Sequence, residues 1–321
     1  MLKKICFWLN ASRLFSLPMT ILTWLVIFIY SLKFHGDILN GILALFGIAL
    51  AHLATNLADD YFDYKQMLKD SNMMGTIVKN KCAYIKDGQA TLNDVLKVVA
   101  IYCSIAFIIG VILTARSGFN VIWLAAIGGI LTLSYSWLSR IGLSEFAVGV
   151  AFGPLFFEGV YYVMTKSFSF EVLLLSLTIG AFTVGVLYAH TLLDFDSDMI
   201  SHKKTLCCRI GNKSKALVLL ALIYLLGFKA AICFAFFSKN PFVLITLLAF
   251  PFALNVIRLE RAYAKDKNFT PKVHFWNYPL DNWKKCITDG TTSFYFVLYQ
   301  SRNLVNLFCV LMILAIIFGT K

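Results

Sequence analysis

Asn56, Asp59, Asp60 and Asp63 close an apolar run of the chain, and on a helix their side chains share one narrow stripe. His52 falls on the same stripe. An ionised carboxylate within a bilayer costs about 2.5–3.5 kcal/mol at mid-membrane. Three together repel one another and drive protonation unless a cation holds them. Such a stripe is how a metal site on one helix face would be written; the plainer alternative is a solvated acidic helix end. A second acidic stretch, Asp194, Asp196 and Asp198, also ends a long apolar run. Asp194 and Asp198 are four apart and face the same way, with His190 one turn above Asp194. Asp196 points elsewhere if the helix continues. Lys203, Lys204 and Arg209 follow. The repeated pattern of apolar run, acids and then bases predicts one shared site.

Hard oxygen ligands at helix spacing point to Mg²⁺, which proteins hold with one or two carboxylates plus substrate phosphates. Zinc would ask for a tighter His and Cys set than His52 and His190 supply. Two acid clusters beside lysines suit a diphosphate bridged by metal ions, with Lys203, Lys204 and Arg209 on its outer oxygens. In a membrane protein that diphosphate calls for a lipid-soluble tail, and a polyisoprenyl diphosphate fits.

The elements that position these residues are membrane helices. The chain has 321 residues, of which 59% are hydrophobic and 14% charged. A crossing takes about 20 apolar residues. Apolar runs predict nine helices, at 14–32, 38–63, 91–115, 119–138, 143–164, 170–193, 216–237, 241–259 and 294–318. The expected architecture is an all-α polytopic membrane protein, a single domain over 1–321 whose bundle encloses a central cavity. The run after Arg13 is too long for a signal-peptide core, so no cleavable signal is expected. The eight cysteines form no Cys-x-x-Cys pair and read as small apolar residues. The net charge of +12 is distributed in loops, which favours membrane topology and phosphate over nucleic acid as its reason. One side of the predicted membrane carries 23 of the 29 Lys and Arg residues. That side is cytoplasmic by the positive-inside rule, giving an inner-membrane protein with its N-terminus in the cytoplasm and its C-terminus opposite. Both acid clusters then face the cytoplasm. Residues 260–292 form a long loop mixing Lys with Phe275, Trp276, Tyr278 and Trp283, a composition suited to the membrane interface.

The chain resembles the UbiA superfamily of intramembrane prenyltransferases, and within it the 1,4-dihydroxy-2-naphthoate polyprenyltransferases. The family's Asn-Leu-Ala-Asn-Asp-Tyr-x-Asp reads here Asn56-Leu57-Ala58-Asp59-Asp60-Tyr61-Phe62-Asp63. Its second motif reads Asp194…Asp198, Lys203-Lys204-Thr205-Leu206 and Arg209-Ile210-Gly211. A third match runs through Tyr135-Ser136, Glu145, Gly153-Pro154 and Gly159-Val160-Tyr161-Tyr162. The resemblance implies nine helices and Mg²⁺-dependent transfer of a prenyl group from a prenyl diphosphate to an aromatic acceptor. It implies that Asp60, Asp63, Asp194 and Asp198 are catalytic and hold the metal. Asn56, Asp59, Lys203, Lys204, Arg209 and Tyr135 would contact substrate. Asp59 stands where the family has its second Asn, and His190 and Leu193 where the naphthoate branch has Asn and Arg. A different acceptor (a hydroxybenzoate, a haem or a glycerol phosphate lipid) is the alternative within the superfamily. A cation-coupled transporter is the alternative outside it; transport predicts acids near mid-membrane, whereas these lie at helix ends. A CDP-alcohol phosphotransferase is set aside because its Asp-Gly…Ala-Arg motif is absent.

Overall fold

The structure, a computed structural model, describes residues 2–68, 82–200 and 204–319, with no strand among them. Lys203, predicted to touch diphosphate, lies outside the described residues, as do Lys69, Asp70, Lys79 and Lys81 of the loop after the first acid cluster. The helices are α1 (Leu2–Ala11), α2 (Leu17–Leu32), α3 (Ile38–Met67), α4 (Ala83–Lys86), α5 (Leu92–Ser117) and α6 (Asn120–Arg140). They continue as α7 (Ser144–Val150), α8 (Phe156–Thr165), α9 (Phe170–Leu193), α10 (Phe195–Ile200), α11 (Leu206–Ile210) and α12 (Lys213–Phe237). The last three are α13 (Phe250–Lys265), α14 (Trp283–Thr288) and α15 (Thr292–Phe318). Among the described residues nine helical segments are long and apolar enough to cross a membrane, so this is a multi-pass membrane protein.

Local chemistry sets where the segments stop and start. Thr91 and Asp94 cap α5 reciprocally, each side chain taking the other's backbone N–H. The Asn212 side chain accepts from Lys215 N at 3.0 Å to open α12. Gly211, at φ 66°, closes α11.

Two predicted helices differ in form. The fifth is interrupted by a π-helical turn, Ala151–Leu155, in which Gly153 leaves helical geometry. Pro154 has no N–H to donate there and its ring crowds the preceding turn. The eighth begins as a 3₁₀ stretch, Pro241–Ala249, and ends at Lys265 rather than near 259. Glu260, which sequence reading put in a loop, is therefore inside the bundle and 1% exposed.

The core sits around α9, whose apolar window is 61% buried, and α15 at 56%; the windows of α5 and α6 are only 6% and 11% buried and face lipid. α9 packs along α12, and α3 along α5. Glycines set the closest approaches. A Cβ at Gly180 of α9 would lie 3.0 Å from Gly153 Cα, and one at Gly227 of α12 would lie 2.8 Å from the Phe182 ring. Without a hydrophobic drive between helices in lipid, such backbone contact is a main source of association. These contacts lock the kinked fifth crossing onto α9, whose end carries Asp194.

Gly180→Ala should lower the thermal unfolding midpoint in detergent by the overpacking cost of about 1–3 kcal/mol. Gly129→Ala, where a Cβ meets nothing within 4 Å, should leave the midpoint unchanged or slightly raised. Equal midpoints for the two variants would mean that α9 and the kinked crossing are free to part.

Candidate active site

α3 carries the first acid cluster out of the apolar region on a single face, and the structure buries it. Asp60, Asp63 and Asp59 are buried although all three are ionisable. Arg13 brings a counter-charge to two of them: it is bonded to Asp60 and lies 3.6 Å from Asp59. Arg13 is held at φ 62°, in the left-handed region, a conformation that costs a non-glycine residue on the order of 1 kcal/mol. The turn that presents it is pinned: Asn56 Nδ2 donates to Ser12 O at 3.0 Å and to Ser16 Oγ at 3.3 Å. Asn56, predicted to assist the substrate, thus also positions the arginine. Burial alone would pull the guanidinium pKa down, but Asp60 and Asp59 outweigh it and raise it. Tyr84 donates to Asp60 Oδ2 at 3.3 Å and Ser136 to Asp59 Oδ1 at 3.4 Å. Burial first, and Asp60 second, raise the Tyr84 hydroxyl above its usual range. Tyr135 is half-buried beside Ser136. His52 is engaged at both ring nitrogens, with Thr20 at 2.7 Å and Ser16 at 3.2 Å, so it is not a free ligand.

The second cluster straddles a break. α9 ends at Leu193, Asp194 caps it, and α10 starts at Phe195. Asp198 N still donates to Asp194 O at 2.8 Å, which keeps the two acids one turn apart. Asp194 lies 3.4 Å from His190; Asp198 is buried. Asp196 turns away, as its spacing predicts, onto Lys213 at 2.8 Å and Lys267 at 2.7 Å. Burial opposes ionisation of Asp196, but these two lysines lower its pKa below the ordinary carboxylate value.

The turn after α6 draws the clusters together. Arg140 donates to Phe62 O at 3.2 Å, inside the first motif, and its own carbonyl accepts from Lys204 N at 3.3 Å, after the second. Arg209 donates to Ile141 O at 2.6 Å. Gly142, at φ 71°, lets this turn seat: a Cβ there would lie 2.5 Å from Lys204 O. Tyr295 of α15 packs against the apolar cluster that holds Leu193, the residue before Asp194. Lys204 and Arg209, both exposed, border the same mouth.

Sequence reasoning missed Arg13, Arg140 and Glu260. Neither Glu260 oxygen has a hydrogen-bond partner among the described residues, and the same holds for Glu145 Oε1 and the Tyr188 hydroxyl. For Glu260 the available signal was a lone acid between apolar residues at helical spacing.

The donor set fits Mg²⁺ in kind, being carboxylate oxygens in a buried, helix-end setting. Among the described residues no three Asp, Glu, His or Cys side chains converge to metal-binding distance. Asp60 is bonded to Arg13, and Asp194 lies 3.4 Å from His190.

Residues 8–278 match the UbiA prenyltransferase family. Curated relatives include two 1,4-dihydroxy-2-naphthoate octaprenyltransferases. That of Bacillus subtilis is 24% identical over 58% of this chain and 59% of its own length, and that of Haemophilus influenzae 27% over 56% and 59%. The chain thus spans about three-fifths of the length of these relatives. Among solved structures, a digeranylgeranylglyceryl phosphate synthase superposes with a TM-score of 0.61 at 17% identity, covering 98% of this chain and 99% of that one. A UbiA homologue from Archaeoglobus fulgidus bound to GPP and Mg²⁺ gives 0.54 at 10% identity, over 92% and 99%. These superpositions show the same fold.

Arg13→Gln should remove the guanidinium from beside buried Asp60 and destabilise the protein by about 3–5 kcal/mol. Part of the loss should return when Mg²⁺ is added, because a divalent cation can stand beside Asp59 and Asp60 in place of the guanidinium. Thermal unfolding of parent and variant with Mg²⁺ or with EDTA reads both effects. Indistinguishable midpoints under all conditions would remove the ion pair from the account.

Proposed function

Since the chain belongs to the UbiA prenyltransferase family, we propose that it transfers a polyprenyl group from a polyprenyl diphosphate to an aromatic acceptor, a dihydroxynaphthoate or related quinone precursor, with Mg²⁺ as cofactor. The observation that carries the reading is the pair of aspartate motifs at the ends of α3 and α9, with Asp59, Asp60, Asp63 and Asp198 buried and the two ends tied through Arg140. In this reading one domain spans 1–321, and the acceptor class rests on the names of distant relatives.

Asp60, Asp63, Asp194 and Asp198 would hold Mg²⁺, which when bound neutralises charge on the departing diphosphate. The protein's own groups do the rest. Arg13, Lys204 and Arg209 bring fixed positive charge to the mouth where phosphate oxygens gather. Asn56 holds the Arg13 turn, and Asp59 adds charge beside it; Tyr135 would contact substrate near Ser136. The bond from the prenyl carbon to its diphosphate oxygen breaks, and the diphosphate departs with the electron pair. The acceptor carbon bonds to the prenyl carbon. The acceptor ring then releases the group it held there, a proton or the carboxyl group as carbon dioxide, to restore its aromaticity. Phe152 and Phe156, ring-stacked at 6.0 Å, belong to the apolar wall of the bundle. Such a wall keeps water from an allylic cation, and membrane lipid receives the product. The proposed orientation puts the N-terminus and both motifs in the cytoplasm of a cell with an inner membrane, on the strength of the basic bias.

Full-length protein supplied with a polyprenyl diphosphate, Mg²⁺ and a panel of acceptors should yield a prenylated dihydroxynaphthoate product by mass spectrometry. Prenylation of only a hydroxybenzoate or a glycerol phosphate would overturn the acceptor, and no prenylated product from any acceptor would sink the reaction. Asp60→Ala and Asp194→Ala should each cost at least about 10²-fold in rate, the size of one strong electrostatic stabiliser. Asp196→Ala, whose partners are Lys213 and Lys267, should stay within a few-fold of the parent. Near-parental turnover by both Asp60→Ala and Asp194→Ala at limiting Mg²⁺ would rule out the two-motif mechanism. A reporter fused after Gly319 should read outside the cytoplasm; a cytoplasmic reading there would reverse the orientation.

A further inference from the structure

The 26 residues between α13 and α15, 266–291, are built onto the bundle rather than draped over it. Asn277 Nδ2 donates to Gln300 Oε1 and Gln300 Nε2 returns a bond to Asn277 O, both at 2.9 Å. Asn303 Nδ2 donates to Asn277 O at 2.8 Å, Arg302 donates to Pro279 O at 2.8 Å and is paired with Asp281, and Tyr299 donates to Asp281 O at 2.8 Å. Four of the five side chains of α15 from Tyr299 to Asn303, all but Ser301, are committed to this segment. Its depth in the membrane follows from them. α15 has 27 residues, so it is about 40 Å long, roughly 10 Å more than a hydrocarbon core of about 30 Å. With the apolar end at Phe318 seated at the far boundary, the first turns of α15 stand clear of the near one. Gln300 and Asn303 lie about 12–16 Å down from Thr292, which sets Asn277 at the boundary between headgroups and acyl chains.

At that level the side chains next to Asn277 point outward. Phe275 is 83% exposed, Trp276 53% and Tyr278 56%. Rings of this kind are stable at the interface and costly in water. Lys272, Lys284 and Lys285 flank them and are exposed, while Lys267 is taken by Asp196 and Asp281 by Arg302. We infer that residues 272–287 form a membrane-interface binding surface for anionic lipid headgroups, with Phe275, Trp276 and Tyr278 seated among the acyl chains and Lys272, Lys284 and Lys285 on the lipid phosphates. Each lysine near an anionic surface contributes to attraction that salt weakens. The assignment does not depend on the proposed reaction.

Full-length protein in phosphatidylcholine nanodiscs, with or without phosphatidylglycerol, tests it. The emission lost in Trp276→Phe should be quenched by brominated acyl chains and shielded from aqueous iodide. Retention of phosphatidylglycerol through detergent purification should fall about tenfold or more in the triple variant Lys272→Ser, Lys284→Ser, Lys285→Ser, with an unchanged thermal midpoint reporting an intact fold. Quenching of Trp276 by iodide alone would overturn the seating of the rings. Parental retention by the triple variant would overturn the lipid-phosphate contact.

Discussion

Carboxylates buried at the lipid edge need a positive neighbour, and the site is arranged around that need. Arg13 meets it for Asp60 and Asp59. To reach them, the chain holds a left-handed residue between α1 and the turn at Leu14–Ser16. Asn56 and His52 are then spent on fixing that turn and the start of α2, through Ser12, Ser16 and Thr20. An electrostatic requirement at one helix end thereby fixes where the first crossing enters the bundle. The second cluster solves the same problem by division: Asp196 goes to the lysines, and Asp194 and Asp198 stay at the mouth.

Much of this was legible in the sequence because a membrane makes polarity conspicuous. Acids ending apolar runs at Asp60 and Asp194 stand out, and a period of 3.6 residues tells which of them share a face. The diversion of Asp196 followed from spacing alone. What escaped notice depends on contacts far apart in the chain. Arg13 looked like one more base in a basic N-terminal segment, and its 47-residue reach to Asp60 leaves no local trace. Glu260 was lost through a boundary: Arg258, Glu260 and Arg261 suggested a helix end, yet α13 runs on to Lys265 with the arginines exposed and the acid inside. The π turn had a signal in Gly153-Pro154, but a proline in a membrane helix is compatible with a simple kink.

The turn after α6 shows how a short connection can carry much of the geometry. Arg140, Ile141 and Gly142 touch the first motif through Phe62 O and the second through Lys204 N and the Arg209 guanidinium; the acceptors are backbone carbonyls, while two of the three donors are the side chains of Arg140 and Arg209. The bridge therefore depends on those two side chains and on the left-handed glycine at Gly142.

The shallow burial of α5 and α6 has an evolutionary side. On α9 a side chain is judged by fit: glycine against glycine at 180, a ring against Gly227 at Phe182. On the lipid faces of α5 and α6 it is judged only by transfer into hydrocarbon, where Leu, Ile, Val and Phe differ by a few tenths of a kcal/mol. Drift among apolar residues is close to neutral along those two crossings and strongly purged along the ninth helix. On these physical grounds, divergence in such a fold should accumulate unevenly, fastest on the outer wall and slowest where helices touch, so that overall percent identity should understate how much of the interior two such chains share.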